Sequence, residues 1–148
     1  MYQRILVPTD GSSTAEKGLI EAIAVARLSG GRIRLLHVVD AMSVAIGADG
    51  LAGYSADVLP VLRDAGSAIL DAAQGRVNAA GVAVDQSLRE VLSGRVADQV
   101  VEEAEAWKAD LIVIGTHGRR GVRRLVLGSD AEQILRAAQV PVLLVRGE

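Results

Sequence analysis

Glycines and arginines in the second half of the chain form the pattern with the clearest chemical meaning. Gly115 is followed after two residues by Gly118, and after nine more by Gly128 and Ser129. Between the last two glycines lie four arginines within six positions: Arg119, Arg120, Arg123 and Arg124. Glycine lets the backbone come close to a ligand and permits positive φ, and guanidinium groups bind phosphate. These residue types predict a site for a phosphate-bearing anion.

The elements on either side of this pattern decide what its glycines can do. Residues 110–114 form a short apolar run that predicts a buried strand, and residues 131–138 predict a helix. The first turn of a helix leaves N–H groups without partners and carries a partial positive charge, so it attracts anions. Ser129 is predicted to cap this helix. The alternative is that the glycines serve only the turn and the arginines are solvated.

A second polar segment follows the first predicted strand, residues 4–8. It runs from Thr9 through Asp10 and Gly11 to Ser12, and a helix is predicted from Ser13 to Ser29. Ser13 with Glu16 three residues later predicts a capping box at the start of that helix. Two interpretations of Asp10 stay open, namely a ligand contact and a turn or cap for the helix.

Composition limits the classes of protein that the chain can belong to. Its 148 residues are half hydrophobic, which predicts one domain spanning 1–148 with an aliphatic core. The absence of cysteine excludes disulfides and thiolate metal sites. A net charge of −2 and few aromatic residues argue against a nucleic-acid partner. No apolar run resembles a signal peptide or a membrane span, so a cytoplasmic protein with no membrane partner is expected.

Strands and helices are predicted to alternate along the whole chain. The predicted strands are 4–8, 32–39, 82–88, 110–114 and 140–145, and the predicted helices are 13–29, 57–80, 93–106 and 131–138. Such alternation is typical of an α/β fold, in which helices cover both faces of a parallel sheet. Ligands of these folds bind at the carboxyl ends of the strands, where the strand order reverses. The segment from 40 to about 56 is glycine-rich and has no assigned element.

The chain resembles the universal stress protein family, whose ATP-binding members carry the pattern G-x2-G-x9-G-S/T at this strand–helix junction. Here the pattern is complete, and the segments 5–12, 37–39 and 140–145 extend the resemblance over essentially the whole chain. The resemblance implies a three-layer, doubly wound, five-stranded parallel sheet with strand order 3-2-1-4-5, a Rossmann-like fold of the adenine nucleotide alpha-hydrolase-like type. Asp130 departs from the small or apolar residue usual in the family. Its carboxylate suits the helix dipole but repels a triphosphate unless a metal ion or an arginine intervenes.

The resemblance also implies how a nucleotide is held. The segment Pro8-Thr9-Asp10 lines the adenosine pocket, and backbone amides of Val38 and Val39 pair with the adenine edge. The complete set of predicted nucleotide-binding residues is Pro8, Thr9, Asp10, Val38, Val39, Gly115, Thr116, His117, Gly118, Arg119, Arg120, Gly128, Ser129 and Asp130. The predicted cofactor is ATP, with Mg²⁺ held through the phosphates and one or two carboxylates and no metal ligand assigned. The other histidine, His37, lies in an apolar strand and is interpreted as structural.

The predicted function is that of an ATP-binding stress-response or regulatory protein with at most slow ATP hydrolysis, because no nucleophile with a positioned general base is evident. The alternative is an enzyme of the nucleotide-alpha-hydrolase type that transfers adenylate from ATP. Such an enzyme needs a substrate pocket and catalytic groups beyond the nucleotide site, and the short unassigned segment 40–56 offers little material for them. A phospho-receiver is excluded, because the third strand ends in Arg89-Glu90 and the chain has no lysine after its fifth strand.

The fifth strand predicts how copies of the chain associate. In the order 3-2-1-4-5 it lies at a sheet edge, and residues Val142 to Val145 are all apolar. An apolar edge strand presents unpaired N–H and C=O groups to another strand. The edge and the resemblance together predict a homodimer through Val142 to Val145.

Overall fold

A computed structural model describes residues 1–41, 58–116 and 127–147 of the chain. The described strands and helices, in chain order, are β1 Arg4–Pro8, α1 Ser13–Ser29, β2 Arg32–Asp40, α2 Val58–Ala79, β3 Val84–Val91, α3 Val96–Trp107, β4 Leu111–Gly115, α4 Ser129–Ala137 and β5 Val142–Val145. The strands form one parallel sheet in the order β3-β2-β1-β4-β5. The predicted α/β class and the strand order 3-2-1-4-5 are confirmed.

The sheet has a hydrophobic core on each face, because successive residues of a strand point to opposite sides. Ile5 and Val7 of β1 pack with residues of α1 and α2, whereas Leu6 packs with residues of α3 and α4. All three side chains are fully buried. A strand covered on both faces reads as a continuous apolar run, which is why the central strands were recognisable in the sequence.

The ends of α1 are set by a serine and a glycine. The Oγ of Ser12 accepts a hydrogen bond from the N–H of Ala15 at 3.1 Å, so Ser12 is the N-cap. The predicted capping box with Ser13 is therefore wrong by one residue, because Ser13 already lies within the helix. Gly30 ends the helix at φ 75° and donates its N–H to Ala26, as is usual for a glycine stop.

The two neighbours of β1 differ in how long they stay paired with it. Within the described residues, β1 pairs with β2 at five positions, from Arg4 to Pro8, but with β4 at only two, Ile5–Leu111 and Leu6–Ile112. The carboxyl ends of β1 and β4 therefore separate. This opening lies at the reversal of strand order, where α/β proteins bind ligands.

Charged residues join α3 to β2 and β3, the strands on the side of the sheet away from β5. Glu103 is only 5% exposed and accepts hydrogen bonds from Arg34 at 3.0 Å and from Arg89 at 2.5 Å. Arg34 also donates to both carboxylate oxygens of Asp85, at 2.7 and 3.1 Å. We call Glu103, Arg34, Arg89 and Asp85 the Glu103 cluster. Its hydrogen bonds, led by that to Asp85, raise the pKa of Arg34 above its ordinary value.

Trp107 lies beside this cluster at the end of α3. The guanidinium carbon of Arg34 is 4.7 Å from the centroid of the Trp107 ring, a distance typical of a cation–π contact. Arg4, the first residue of β1, donates from Nη1 to the Trp107 carbonyl at 2.7 Å. Trp107 is buried, and its contact with Arg4 places it at the amino-terminal end of the strands.

Candidate functional site

The end of β1 continues into a turn built by its own side chains. The Thr9 N–H donates to the Leu36 carbonyl at 2.8 Å, one residue beyond the β1 strand. The Asp10 carboxylate accepts from the Ser12 N–H at 2.9 Å, and the Thr9 hydroxyl accepts from the Gly11 N–H at 3.4 Å. Asp10 thus takes part in the turn, as one of its two interpretations predicts. Contact of Pro8, Thr9 or Asp10 with a ligand stays a prediction.

The end of β4 is held by two backbone hydrogen bonds to Thr116. Its N–H donates to the Val145 carbonyl at 3.0 Å, and its carbonyl accepts from the Gly128 N–H at 2.6 Å. The second bond places Gly128, which directly precedes α4, beside the residue that follows β4. His117, Gly118, Arg119 and Arg120, which belong to the predicted site, lie outside the described residues.

Gly115 has a packing role that the sequence did not reveal. Its φ lies outside the left-handed region, so Gly115 does not use the positive φ that a glycine permits. A Cβ at Gly115 would lie 2.6 Å from Cγ2 of Thr14 and 2.8 Å from its carbonyl oxygen. The missing side chain lets the first turn of α1 pack directly on the end of β4. That packing brings the helix start beside the opening.

The start of α4 differs from the prediction in its capping residue. Gly128 is the N-cap, at φ −60° and ψ 153°, and Ser129 is the first helical residue, so the predicted cap by Ser129 is wrong. Gly128 has no side chain to cover the N–H groups of the first turn, which helices leave available to anions. Asp130 and Glu132 lie in this turn, where their charges suit the helix dipole.

The hydrogen-bond register of β2 directs the N–H groups of Val38 and Val39 to different neighbouring strands. The Arg32 N–H donates to Gln3 on the β1 side, and the Ile33 N–H donates to Ala83 on the β3 side, both at 2.9 Å. Because this direction alternates along a strand, the Val38 N–H faces β1 and the Val39 N–H faces β3. Val38 is opposite the region where β1 has already ended. The geometry favours Val38 over Val39 for an amide contact with a ligand in the opening.

His37 contacts the same region, which its interpretation as a structural residue did not include. Its Nδ1 lies 2.8 Å from the Thr9 carbonyl oxygen. On its other side the ring meets α2, where a Cβ on Gly66 would come within 2.6 Å of Cδ2. The register places His37, the residue after Leu36, opposite Thr9, the residue after Pro8, so this contact depends on a strand pairing that the sequence alone does not show.

Comparison with known proteins identifies the family. The model of the universal stress protein family matches residues 1–146. The chain belongs to this family. It is 34% identical over 146 residues to the universal stress protein MJ0531 of Methanocaldococcus jannaschii, an alignment that covers 99% of this chain and 83% of the relative.

Two solved structures extend the comparison to the fold of this universal stress protein. The structure of MJ0577, from the same archaeon, superposes with a TM-score of 0.85 at 26% identity, covering 100% of this chain and 98% of MJ0577. A universal stress protein crystallised in complex with cAMP gives a TM-score of 0.70 at 26% identity, covering 99% and 98%. The family predicted by resemblance is confirmed, and membership of its ATP-binding subgroup stays a prediction.

The described part of this universal stress protein contains neither a cluster of metal-ligating side chains nor a membrane-spanning helix. In residues 1–41, 58–116 and 127–147, histidines, aspartates and glutamates do not come together in any group of three that would hold a metal ion. Over the same residues, every helix is too short or too polar to cross a membrane.

Proposed function

We propose that this universal stress protein binds an adenine nucleotide, ATP accompanied by Mg²⁺, in the opening between the ends of β1 and β4. The observation that carries the proposal is the 2.6 Å hydrogen bond from the Gly128 N–H to the Thr116 carbonyl. It fixes the uncapped start of α4 beside the end of β4, where an anion would meet N–H groups and a positive dipole. The structural neighbour in complex with cAMP supports the adenine nucleotide class.

The residues around the opening match the parts of ATP. The base would meet the Val38 N–H, with Pro8, Thr9 and Asp10 on the other side. The phosphates would meet the first turn of α4 and, in the segment outside the described residues, Gly118, Arg119 and Arg120. This set of N–H and guanidinium donors fits a polyanion, and the completeness of the G-x2-G-x9-G-S pattern favours ATP. Mg²⁺ would be held by the phosphates, with Asp130 as a nearby carboxylate.

Hydrolysis is proposed to be slow or absent. A fast hydrolase needs a nucleophile or water activated by a positioned base, and the sequence provides no such pair around the motif. We expect turnover below about 1 s⁻¹, the lower end of ordinary enzyme rates. Faster release of phosphate from ATP by the pure protein would overturn the role as a binding protein. Transfer of adenylate from labelled ATP to another molecule would instead support the enzyme alternative.

The site is tested by identifying and titrating the nucleotide. Mass spectrometry of nucleotide released from the purified protein is expected to show an adenine nucleotide, and the nucleotide-free protein is expected to bind ATP more tightly with Mg²⁺. Gly128→Ala and Gly118→Ala are expected to weaken ATP binding. Gly75→Ala is the matched control, because a Cβ at this helical glycine meets nothing within 4 Å. Folded variants of both motif glycines that bind ATP as tightly as the parent would refute the assignment.

Replacing Asp10 distinguishes its two interpretations, a contact with the nucleoside and a role in the turn. If it contacts the nucleoside, Asp10→Ala weakens ATP binding with little change in melting temperature. If it serves only the turn that binds the Ser12 N–H, the variant lowers the melting temperature and leaves the affinity unchanged.

We also propose a homodimer through β5, Val142–Val145. The strand lies at the edge of the sheet, and Leu143 is 37% exposed although it is apolar. The same strand of a second copy, antiparallel about a two-fold axis, would pair its outer N–H and C=O groups. Sedimentation that shows only monomers at micromolar concentration would refute the dimer.

Two further parts of the proposal concern the chain as a whole. Residues 1–148 are proposed to form one domain, for which a single cooperative unfolding transition is expected. The protein is proposed to act in the cytoplasm, and cell fractionation that recovers it elsewhere would contradict this.

A further inference from the structure

The hydrogen bond between His37 and Thr9 occupies the place of a missing rung in the sheet. In parallel pairing, a residue donates its N–H to one strand position and accepts at its carbonyl from the N–H two positions later. Thr9 donates to Leu36 at 2.8 Å, so the partner expected for its carbonyl is the Val38 N–H. In the part of the chain that the structure describes, the β1–β2 ladder ends at the Thr9 N–H. The Thr9 carbonyl instead lies 2.8 Å from Nδ1 of His37.

The chemistry of this contact fixes the proton on the ring. A carbonyl oxygen only accepts hydrogen bonds, so Nδ1 of His37 must carry the hydrogen and donate it. In the neutral ring this leaves Nε2 without a hydrogen. The ring N–H therefore donates to the Thr9 carbonyl in place of the Val38 N–H, which would be the donor in a continued ladder.

The ring is held in this position from its other side. A Cβ on Gly66 of α2 would lie 2.6 Å from Cδ2 and 3.2 Å from Nε2 of His37, and 3.0 Å from Cδ1 of Leu88. The backbone of α2 therefore packs against the edge of the imidazole, and Leu88 of β3 lies at the same place. A ring confined in this way keeps Nδ1 directed at Thr9.

The position of the Thr9 carbonyl matters because Thr9 precedes Asp10. The carbonyl belongs to the peptide that joins the two residues, so a partner on this oxygen sets the orientation of that peptide plane. The Asp10 carboxylate then accepts from Ser12, whose hydroxyl caps α1. His37 thus anchors the first link of the turn at the end of β1.

We propose that His37 is a positioning residue of the candidate nucleotide site: its Nδ1–H holds the Thr9 carbonyl, which keeps the Val38 N–H available to the base. The inference rests on the proposed function and deepens it, since it assigns a residue that supports the base contact without touching the nucleotide. Without the imidazole donor, the Thr9 carbonyl would take the Val38 N–H, and β1 and β2 would pair one rung further.

The first test needs no nucleotide. Amide hydrogen exchange at Val38 is compared in the parent, in His37→Leu, which has no donor, and in His37→Asn, whose amide nitrogen can take the place of Nδ1. We expect exchange at Val38 to be at least tenfold slower in His37→Leu, because its N–H then bonds to Thr9. His37→Asn is expected to exchange like the parent. Equal exchange in all three folded proteins would overturn the inference.

The second test separates the base from the phosphates. ATP and tripolyphosphate, which has no base, are titrated into the same three proteins. We expect His37→Leu to bind ATP about tenfold more weakly with unchanged affinity for tripolyphosphate, and His37→Asn to regain the loss. Equal weakening of both ligands, or of neither, would mean that His37 has only a structural role. A parent that binds no ATP would refute the proposed function itself, a result distinct from the outcome with the variants.

Discussion

The two edges of the sheet have opposite chemistry. At one edge β3 pairs with β2 over eight residues, and its charged side chains are engaged with arginines and glutamates of β2, α2 and α3. At the other edge β5 pairs with β4 over four residues, Val142–Val145, and contains no charged residue. Charge on an edge strand discourages another strand from adding to it, whereas an apolar edge invites one.

The polar residues of β3 therefore contribute to the fold as well as to solubility. Glu103 is buried between Arg34 of β2 and Arg89 of β3, so α3 is fixed to that edge by ion pairs. On β5, half-buried Val142 and Leu144 pack against the core of α3 and α4, and Leu143 is exposed. We therefore expect one edge to contribute to the stability of the monomer and the other to association.

The largest effect is expected in the Glu103 cluster. Glu103→Ala leaves Arg34 and Arg89, whose side chains are 25% and 26% exposed, without their shared carboxylate. Breaking a buried ion pair from one side typically costs about 3–5 kcal/mol. Because Asp85 and Glu102 still pair with the two arginines, we expect the free energy of unfolding, measured with urea, to fall by about 3 kcal/mol, the lower end of that range.

Glu102→Ala is the matched control for that experiment. Glu102 is on the same helix and also bonds to Arg89, but its side chain is 61% exposed. A solvent-exposed pair contributes at most about 1 kcal/mol. Equal losses in the two variants would mean that the buried cluster does not set the stability of the β3 edge.

An intermediate effect is expected at β5. Leu143→Lys places a charge on the exposed apolar position of that edge, where a partner strand would have to bury it. We expect the dissociation constant of the proposed dimer to rise about 100-fold, equivalent to about 2.7 kcal/mol. Sedimentation velocity over a range of concentrations measures the change.

Gln86→Lys makes the same change of charge at an exposed position of β3. Gln86 already bonds to Asp71 and Gln74 of α2, so a lysine there has a carboxylate nearby. We expect no change in the sedimentation behaviour of this variant. Dissociation by Gln86→Lys, with Leu143→Lys still dimeric, would reverse the assignment of the two edges.

The smallest effect is expected from the ion pair between Arg63 of α2 and Glu90 of β3. Hydrogen bonds from Arg63 lower the pKa of Glu90 below its ordinary value. A carboxylate with a lowered pKa in the folded state adds stability above its unfolded pKa of about 4.3 and loses it as pH falls through the folded pKa. Arg63→Ala is therefore expected to melt slightly below the parent at pH 7, because both groups are solvent-accessible.

Calorimetry between pH 3 and 7, the range that spans a glutamate pKa of about 4.3, follows the titration of this pair. The difference between the parent and Arg63→Ala should shrink as the pH falls below that value. In a Glu90→Gln background, replacing Arg63 should have no pH-dependent effect. A difference that stays constant from pH 7 to 3 would show that the pair does not stabilise the β3 edge.

Most of the fold was predictable because its signals are local. Buried runs and a helical periodicity predicted β1 at Arg4–Pro8 and α1 at Ser13–Ser29 with the bounds that the structure has. The caps were wrong by one residue at both helices because Ser12 and Ser13, like Gly128 and Ser129, are each acceptable capping residues. Which of two adjacent candidates becomes the N-cap depends on the backbone conformation at the start of the helix.

The contacts that escaped prediction, in the site and elsewhere in the fold, depend on distant residues. Arg34 meets Asp85 and Glu103 across 51 and 69 positions of sequence, and one sequence gives no sign of such pairs. The packing role of Gly115 depends on where α1 crosses β4. The distinction between Val38 and Val39 needs the register of two neighbouring strands. The anion motif itself was readable because its glycines and arginines lie within fifteen positions.

Trp107 gives the chain a built-in optical probe. It is the single tryptophan of the sequence, is 8% exposed, and lies at the opposite end of the strands from Thr116 and Gly128. Its fluorescence emission should change when α3 leaves the sheet and its two neighbouring arginines, but not when a ligand enters the opening. Denaturation curves that follow the Trp107 emission with and without nucleotide can therefore be compared directly, because the fluorophore reports unfolding alone.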